Sequence, residues 1–348
     1  MDSQYNGNYP YPGAPAPVPK PPLLKRLRYS PEYAPFRELF VTACIIGCAF
    51  LAYPAMSGIF TALINGVPVL NEKYFSDPAF GYLTEAVYSF MCVGLPFLLV
   101  YVMLKVSGRY EKELPLGAPY SGNAAFLLIF VGLGCCFAGN LATSWLTAFF
   151  QDLGVEFYSY QQALEGDVMP DTLMGVYAYL LRTAVVPALI EEFAFRGVVL
   201  NTLRRYGDWF AIIISAVMFG LMHGNMTQVP FALIAGVALG YAFVVTGSMW
   251  TSVIIHFTNN FVAVLFTVLS NACGEGTGMI FTMAATYGFM FLGILAAVVF
   301  CVKNPFFARL YPGVYPRQKK KALSFFAAPT VIIAVCILLS YMYGDIIR

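Results

Sequence analysis

The segment EEFAFRG, residues 191–197, places three ionisable side chains inside a long apolar run. Charged side chains at membrane depth are costly and mark functional sites. In a helix that turns about 100° per residue, Arg196 lies about 40° from Glu192 and about 140° from Glu191. This geometry pairs Arg196 with Glu192 and leaves Glu191 without a partner on its own helix. An unpaired buried carboxylate is a candidate general base.

The composition of the whole chain indicates a membrane protein. Its 348 residues are 59% hydrophobic and 11% charged, with a mean hydropathy of +0.71, whereas globular proteins carry about 25% charged residues. We therefore predict an all-α fold, a polytopic transmembrane helix bundle in the cell membrane. The composition excludes a nucleic-acid partner, and the formal net charge of +2 favours no other one.

Nine apolar runs can form membrane-crossing helices. A crossing needs about 17 to 25 residues. Seven runs reach that length, and two shorter ones cover residues 210–222 and 230–245. The sequence thus predicts eight or nine crossings. The seven long runs are residues 40–64, 84–106, 124–150, 173–199, 249–270, 279–302 and 325–343.

The distribution of basic residues predicts the orientation of the chain, because Lys and Arg accumulate in cytoplasmic loops. Nine crossings that start from a cytoplasmic N-terminus place Arg109, Arg204 and the basic segment 303–321 inside. The acidic loop 152–171, which contains no Lys or Arg, then lies outside. The C-terminus is predicted to lie outside as well.

Two features of the predicted spans have no predicted catalytic role. Arg182 lies well within the fourth run, and the sequence suggests no partner for it. The small residues Ala232, Gly236 and Gly240 recur every four positions. Such a stripe lets helices approach closely, so we predict a packing surface there.

The chain contains only two histidines, His223 and His256, and both lie within or at the edge of apolar runs. At 1.5 Å per residue, depths of about 20, 20, 10 and 17 Å from the cytoplasmic surface follow for Glu191, His223, His256 and Asn260. These groups can converge in the cytoplasmic half of the membrane. Polar side chains also link transmembrane helices, but this combination of groups favours a hydrolytic site.

Three motifs resemble those of the CPBP (CAAX protease and bacteriocin-processing) family, also called the Abi family, whose eukaryotic members include the type II CAAX prenyl endopeptidase. They are Glu191-Glu192-x-x-x-Arg196, Phe219-x-x-x-His223 and His256-x-x-x-Asn260, in that order. The resemblance extends from near Leu173 to Leu269, and no motif residue is missing.

The resemblance implies an intramembrane endopeptidase. Glu191 would act as the base toward a water molecule, with His223 assisting, and His256 and Asn260 would stabilise the oxyanion. Glu192 and Arg196 would support them. Peptide hydrolysis does need a group that activates water and donors aimed at the developing negative oxygen, and a carboxylate in a low-dielectric site is a stronger base.

Composition, the apolar runs and the resemblance together divide the chain into four predicted regions, of which only the catalytic core rests on the resemblance. Residues 1–35 are predicted to be a disordered, Pro- and Tyr-rich cytoplasmic tail. Residues 36–165 form N-terminal transmembrane helices, residues 170–270 form the catalytic core, and residues 279–348 form C-terminal transmembrane helices.

Metal use stays open at this point. The family has been described both as metalloproteases and as metal-independent glutamate proteases. Neutral imidazoles of His223 and His256, with Glu191, could supply the three protein ligands of a catalytic zinc ion. The eight cysteines show no C-x-x-C spacing and indicate no thiolate site. We predict a metal-independent reaction without a cofactor, with zinc as the alternative.

Two other functions use the same residues. A proton-coupled transporter could relay protons through these Glu and His side chains, but the chain shows no internal repeat of broken helices. A catalytically silent immunity or scaffold protein would retain the fold only. For the protease, the predicted partners are the lipid bilayer and a membrane-associated peptide or protein substrate. The sequence does not show whether that substrate is lipidated.

Overall fold

The computed structural model describes residues 34–110, 113–159, 172–303, 310–313 and 318–347. Within these ranges the chain forms eleven helices and one two-residue β ladder, so the predicted all-α fold is confirmed. The helices are α1 (Ala34–Gly66), α2 (Pro68–Ser76), α3 (Pro78–Val106), α4 (Gly122–Asp152), α5 (Leu173–Tyr206), α6 (Asp208–Met222), α7 (Val229–Thr246), α8 (Met249–Cys273), α9 (Glu275–Lys303), α10 (Gln318–Phe326) and α11 (Pro329–Gly344).

The lengths of the helices support a multi-pass membrane protein. Seven of the described helices are long and apolar enough to cross a membrane, and the bent pair α10 and α11, at 75°, makes up to eight. Helix α6 has 15 residues, or about 22 Å, which is shorter than the hydrocarbon core of about 30 Å. Each of the nine predicted apolar runs corresponds to one of these helices or to the bent pair.

Small residues allow the helices of the core to approach closely. A Cβ atom on Gly134 of α4 would lie 2.9 Å from the Cα of Gly293 on α9. On α7, a Cβ atom on Gly236 would lie 2.9 Å from the Cα of Ala216 on α6. The predicted packing function of the small residues on α7 is thereby confirmed, and α6, α7 and α4 form adjacent walls around the polar centre of the molecule.

Two other segments contact the last turns of α5 at one end of the bundle. The Tyr110 hydroxyl donates to the carbonyl of Gly197 at 2.8 Å. The ammonium group of Lys321, buried against α5, donates to the carbonyl of Tyr206 at 2.6 Å. These contacts place the segments that are predicted to be cytoplasmic at the same end of the bundle, as the distribution of Lys and Arg requires.

A second set of contacts joins the opposite end. The β ladder pairs β1 (Glu156–Phe157) with β2 (Ile346–Ile347). The Asp345 carboxylate accepts from the backbone N–H of Ser159 at 2.7 Å and from that of Met226 at 2.9 Å. The described start of the acidic loop and the C-terminal strand therefore lie on the same side, as predicted for nine crossings. Which end faces the cytoplasm stays a prediction.

The partner of Arg182 is on another helix. Its Nε atom forms an ion pair with Oε2 of Glu85 on α3, and its guanidinium lies 5.3 Å from the ring centre of Tyr82. The Tyr74 hydroxyl donates to the same carboxylate at 2.9 Å. Burial, together with Glu85, raises the pKa of Tyr74 to about 12. The ion pair explains how the arginine is accommodated within a span.

Several predictions fall outside the described residues. These are the tail before residue 34, the acidic residues Glu165, Asp167 and Asp171, and the basic residues Lys112, Arg309 and Arg317.

Candidate active site

Glu192 and Arg196 form the predicted ion pair on α5. Arg196 Nη1 donates to Glu192 Oε1 at 2.9 Å, and the exposed fractions of the two side chains are 1% and 0%. The guanidinium also donates through Nη2 to the carbonyl of Gly236 at 3.3 Å and lies 4.9 Å from the ring centre of Phe219. The pair forms although the backbone adopts a π-helical turn over Phe193–Leu200 rather than the expected α-helix.

The same carboxylate oxygen also holds a histidine. His256 Nδ1 lies 2.9 Å from Glu192 Oε1, and a carboxylate can only accept, so Nδ1 carries the proton. The other ring nitrogen, Nε2, is thereby turned toward the cavity. Sequence reasoning missed this contact because helical geometry relates residues of one helix only, and these two residues lie 64 positions apart.

Glu191 has a different environment from its neighbour. Its side chain is 21% exposed, whereas that of Glu192 is fully buried. Glu191 Oε2 lies 3.9 Å from His256 Nε2, which is too far for a direct hydrogen bond. The two adjacent glutamates thus have opposite surroundings, one open to a cavity and one enclosed by Arg196 and His256.

His223 lies at the end of α6 that is remote from Asp208, directly after Met222. Its Nδ1 atom is 2.9 Å from the carbonyl oxygen of Phe219, and a carbonyl only accepts, so this nitrogen carries the proton. The Phe219 ring lies edge-on to the imidazoles of His223 and His256, at 4.9 and 6.1 Å between ring centres. One aromatic ring therefore separates and supports both histidines.

Asn260 is positioned by the backbone of α5. Pro187 has no N–H to donate to the carbonyl of Thr183 four residues earlier. Asn260 Nδ2 donates to that carbonyl instead, at 3.1 Å. Asn259 Nδ2 donates to Asn260 Oδ1 at 3.1 Å, and Asn140 Nδ2 donates to Asn259 Oδ1 at 3.4 Å. These carboxamides connect α8 to both α5 and α4.

All four predicted catalytic residues line one cavity of about 870 Å³. Glu191, His223, His256 and Asn260 reach it from three different helices, α5, α6 and α8. Apolar side chains complete its wall, including Phe219. The structure therefore brings together the groups that the sequence placed at similar depths. Their catalytic roles remain predictions.

The zinc alternative requires that His223, His256 and Glu191 bind one metal ion together. Within the ranges that the structure describes, no three His, Cys, Asp or Glu side chains are arranged to hold a metal ion. The described residues therefore show no preorganised zinc site.

Comparison with known proteins agrees with the motifs. Residues 174–262 match the model of the family described as "Type II CAAX prenyl endopeptidase Rce1-like". The chain is also 22% identical over 142 residues to the "Putative membrane peptidase YdiL" of Bacillus subtilis (strain 168). That alignment covers 39% of this chain and 57% of the relative. No solved structure matches the chain. The resemblance to the CPBP family is confirmed, and at family level the match supports a membrane protease.

Proposed function

We propose that this multi-pass membrane protein is an intramembrane endopeptidase that hydrolyses peptide bonds with a water molecule activated by Glu191. The observation that carries the proposal is the contrast between the two glutamates. Glu191 lines the cavity and faces His256 Nε2 at 3.9 Å, whereas Glu192 is enclosed and holds His256 Nδ1 at 2.9 Å. One carboxylate is available to water, and the other orients the imidazole.

The separation of 3.9 Å between Glu191 Oε2 and His256 Nε2 suits a water molecule between the two side chains, because a bridging water spans polar atoms that are too far apart to bond directly. In the proposed reaction, Glu191 takes a proton from this water as its oxygen attacks the carbonyl carbon of the substrate. The proton then passes to the amide nitrogen, the C–N bond breaks, and a carboxylate and an amine are released.

The developing oxyanion needs hydrogen-bond donors. A His256 that is protonated on both nitrogens donates to Glu192 through Nδ1 and presents Nε2–H to the cavity. Glu192 and Arg196 neutralise each other, and the negative charge that balances this imidazolium passes from Glu191 to the oxyanion as Glu191 takes the proton from the water. Asn260 contributes the second hydrogen of its amide group, since the first is used by Thr183. His223, with Nε2 not engaged by Phe219, assists in holding the water.

The proposed substrates are membrane-associated peptides or proteins, cleaved within or at the bilayer. Prenylated C-terminal peptides and peptide bacteriocins are the two classes that the family resemblance suggests. A catalytically silent immunity or scaffold protein is the alternative, as is a proton-coupled transporter.

Comparative mass spectrometry of membrane peptides tests the proposal. Cells would produce the wild-type chain, Glu191→Gln, or the control Glu72→Gln, which removes an exposed carboxylate on α2 that does not line the cavity. We expect peptides that accumulate with the wild type and the control but not with Glu191→Gln. Identical peptide profiles for all three proteins would overturn the protease and favour a silent partner or transporter.

A further inference from the structure

One face of α4 is polar although the helix is long and apolar enough to cross a membrane. Asn140, Thr143, Ser144, Thr147 and Gln151, here called the α4 polar stripe, recur at the spacing of one helix face. All five line the cavity. They belong to none of the three motifs, and α4 lies outside the segment that matches the family model. Polar side chains within a span are costly and mark functional surfaces.

Three threonine hydroxyls around the cavity lack the bond that a helical threonine commonly makes. Threonine in a helix commonly bonds to the carbonyl four residues earlier, as Thr42 and Thr246 do at 2.8 and 2.7 Å. The Oγ1 atoms of Thr143, Thr183 and Thr282 are buried and have no hydrogen-bond partner among the described residues.

These three threonines come from α4, α5 and α9, and each lines the cavity. Thr143 is only 7% exposed. A buried hydroxyl without a partner is destabilising, and a polar group in the cavity, either water or a bound ligand, could satisfy these three hydroxyls in its wall.

The stripe leads from the catalytic groups to one end of the bundle. Asn140, at its inner end, connects through Asn259 to Asn260. Gln151, at its outer end, lines the cavity together with Ser159 and Thr227. The Ser159 hydroxyl also bonds to the Asp345 carboxylate at 2.9 Å. The cavity therefore extends toward the end of the bundle that carries the β ladder.

The length of the stripe limits what it can bind. From Asn140 to Gln151 the helix rises about 16 Å at 1.5 Å per residue. An extended peptide advances about 3.3 Å per residue, so about five residues match the stripe. A helical substrate has satisfied its backbone groups internally, whereas an extended one needs partners for them.

We propose that the α4 polar stripe is the binding groove for an extended polypeptide segment of about five residues. The segment enters at the Gln151 end and reaches the catalytic groups at the Asn140 end. Its backbone N–H and C=O groups pair with the threonine hydroxyls and with side-chain carboxamides. A purely hydrocarbon chain offers those groups no hydrogen bonds. This inference deepens the proposed function and rests on it for the identity of the cavity as a protease site.

The first experiment uses two neighbouring residues that lie on different faces of α4, about 100° apart. Ser144 lines the cavity, whereas Trp145 is 69% exposed on the outer face. Ser144→Cys and Trp145→Cys would be treated with a positively charged, membrane-impermeant thiol reagent, and modification would be located by peptide mass spectrometry. We expect Ser144→Cys to react at least roughly tenfold faster, because charged reagents do not enter lipid. Equal rates would overturn the polar groove.

The second experiment tests whether the groove takes a peptide. Ser144→Cys would be combined with Glu191→Gln to prevent turnover, and labelling would be repeated with an equimolar library of random decapeptides. The same amino acids as free monomers serve as the control. Protection by the peptides but not by the monomers is expected. Unchanged labelling with the library would overturn the peptide groove.

A matched pair of variants tests whether a threonine hydroxyl in the groove forms a hydrogen bond with the peptide. Thr143→Val keeps the shape of the side chain but removes its hydroxyl, and should weaken protection by the decapeptides about five- to tenfold, as is typical for one lost hydrogen bond. Thr42→Val, on α1 and bonded to its own helix, should leave protection unchanged. Equal effects of the two variants would contradict the proposal.

The outcomes separate the groove from the protease. If the decapeptides protect but no Glu191-dependent peptide products are found, the peptide-binding groove is supported and the protease function is overturned. If Glu191-dependent products are found but the decapeptides do not protect, the protease function is supported and the peptide-binding groove is overturned.

Discussion

His256 Nδ1 lies 2.9 Å from Glu192 Oε1, the same oxygen that accepts the hydrogen bond from Arg196. A single buried carboxylate therefore balances an arginine of its own helix and fixes the ring of a histidine on α8. Carboxylates that bond to the second nitrogen of a functional imidazole hold its orientation and proton position. The arrangement gives Glu192 a positioning function and leaves Glu191 to face the cavity.

The buried ion pair gives a stability prediction. Glu192→Gln leaves Arg196 without a counter-charge, and breaking a buried pair by removing one partner typically destabilises by about 3 to 5 kcal/mol. Thermal unfolding in detergent should show a markedly lower midpoint, and expression should fall.

The double variant is the matched control for this prediction. Glu192→Gln combined with Arg196→Gln leaves neither charge unpaired, so it should be more stable than Glu192→Gln alone. The carboxamide that replaces the Glu192 carboxylate would still offer an oxygen to His256. A double variant no more stable than the single one would mean that Arg196 is not the partner that matters.

Metal dependence is tested on purified, active protein. In the proposed reaction Glu191 activates the water without a metal ion, so activity should survive strong chelation. Elemental analysis accompanies the assay. If zinc is present in stoichiometric amounts, and activity is lost with it and restored by it, the water is activated by a metal ion and the role given to Glu191 is wrong.

The topology can be tested with reporter fusions. Lys320 should lie in the cytoplasm and Asp167 outside, because of the asymmetry of Lys and Arg between the loops. The β ladder adds that a reporter after Ile347 should report the same side as one at Asp167, since Ile347 pairs with Glu156. If Asp167 and Arg204 prove to lie on the same side, α5 is not a simple crossing.

The contacts of Asp345 predict a stabilising role for its charge. Its carboxylate accepts three hydrogen bonds, two from Ser159 and one from Met226. Asp345→Asn retains only one acceptor oxygen, and should lower the free energy of unfolding by about 1.5 to 3 kcal/mol, the range for hydrogen bonds to charged groups.

Asp77→Asn is a control with the same chemistry. Asp77 caps α3 by accepting from the N–H groups of Ala79 and Phe80, and Asn serves about equally well as an N-cap. Its unfolding midpoint should be close to that of the wild type. Equal losses for both variants would show that the Asp345 contacts contribute nothing specific.

The sequence predicted the helices and the motif residues because both depend on local patterns. Apolar runs have the length of a membrane crossing, and the four-residue spacing from Glu192 to Arg196 was sufficient to predict their ion pair. The contacts of Glu192 with His256 and of Arg182 with Glu85 join residues 64 and 97 positions apart. These contacts depend on which helices pack against each other. The sequence of a single helix does not show this.

The α4 polar stripe is a different case, since its signal is present in the sequence. Asn140, Thr143, Ser144, Thr147 and Gln151 follow the spacing of one helix face within an apolar run. Only the structure shows that this face is directed toward the cavity. The π-helical turn after Glu192 had no comparable signal. The cavity itself forms only when α4 to α9 are assembled.

The central claim is that Glu191 is the base and Glu192 the positioning carboxylate. Its most direct test is Glu191→Gln, measured for formation of the peptide products found by comparative mass spectrometry and for thermal stability in detergent. Glutamine keeps the volume and hydrogen bonding of the side chain but cannot take a proton. We predict that cleavage is abolished while the unfolding midpoint remains close to that of the wild type. Retained cleavage by Glu191→Gln would contradict the account.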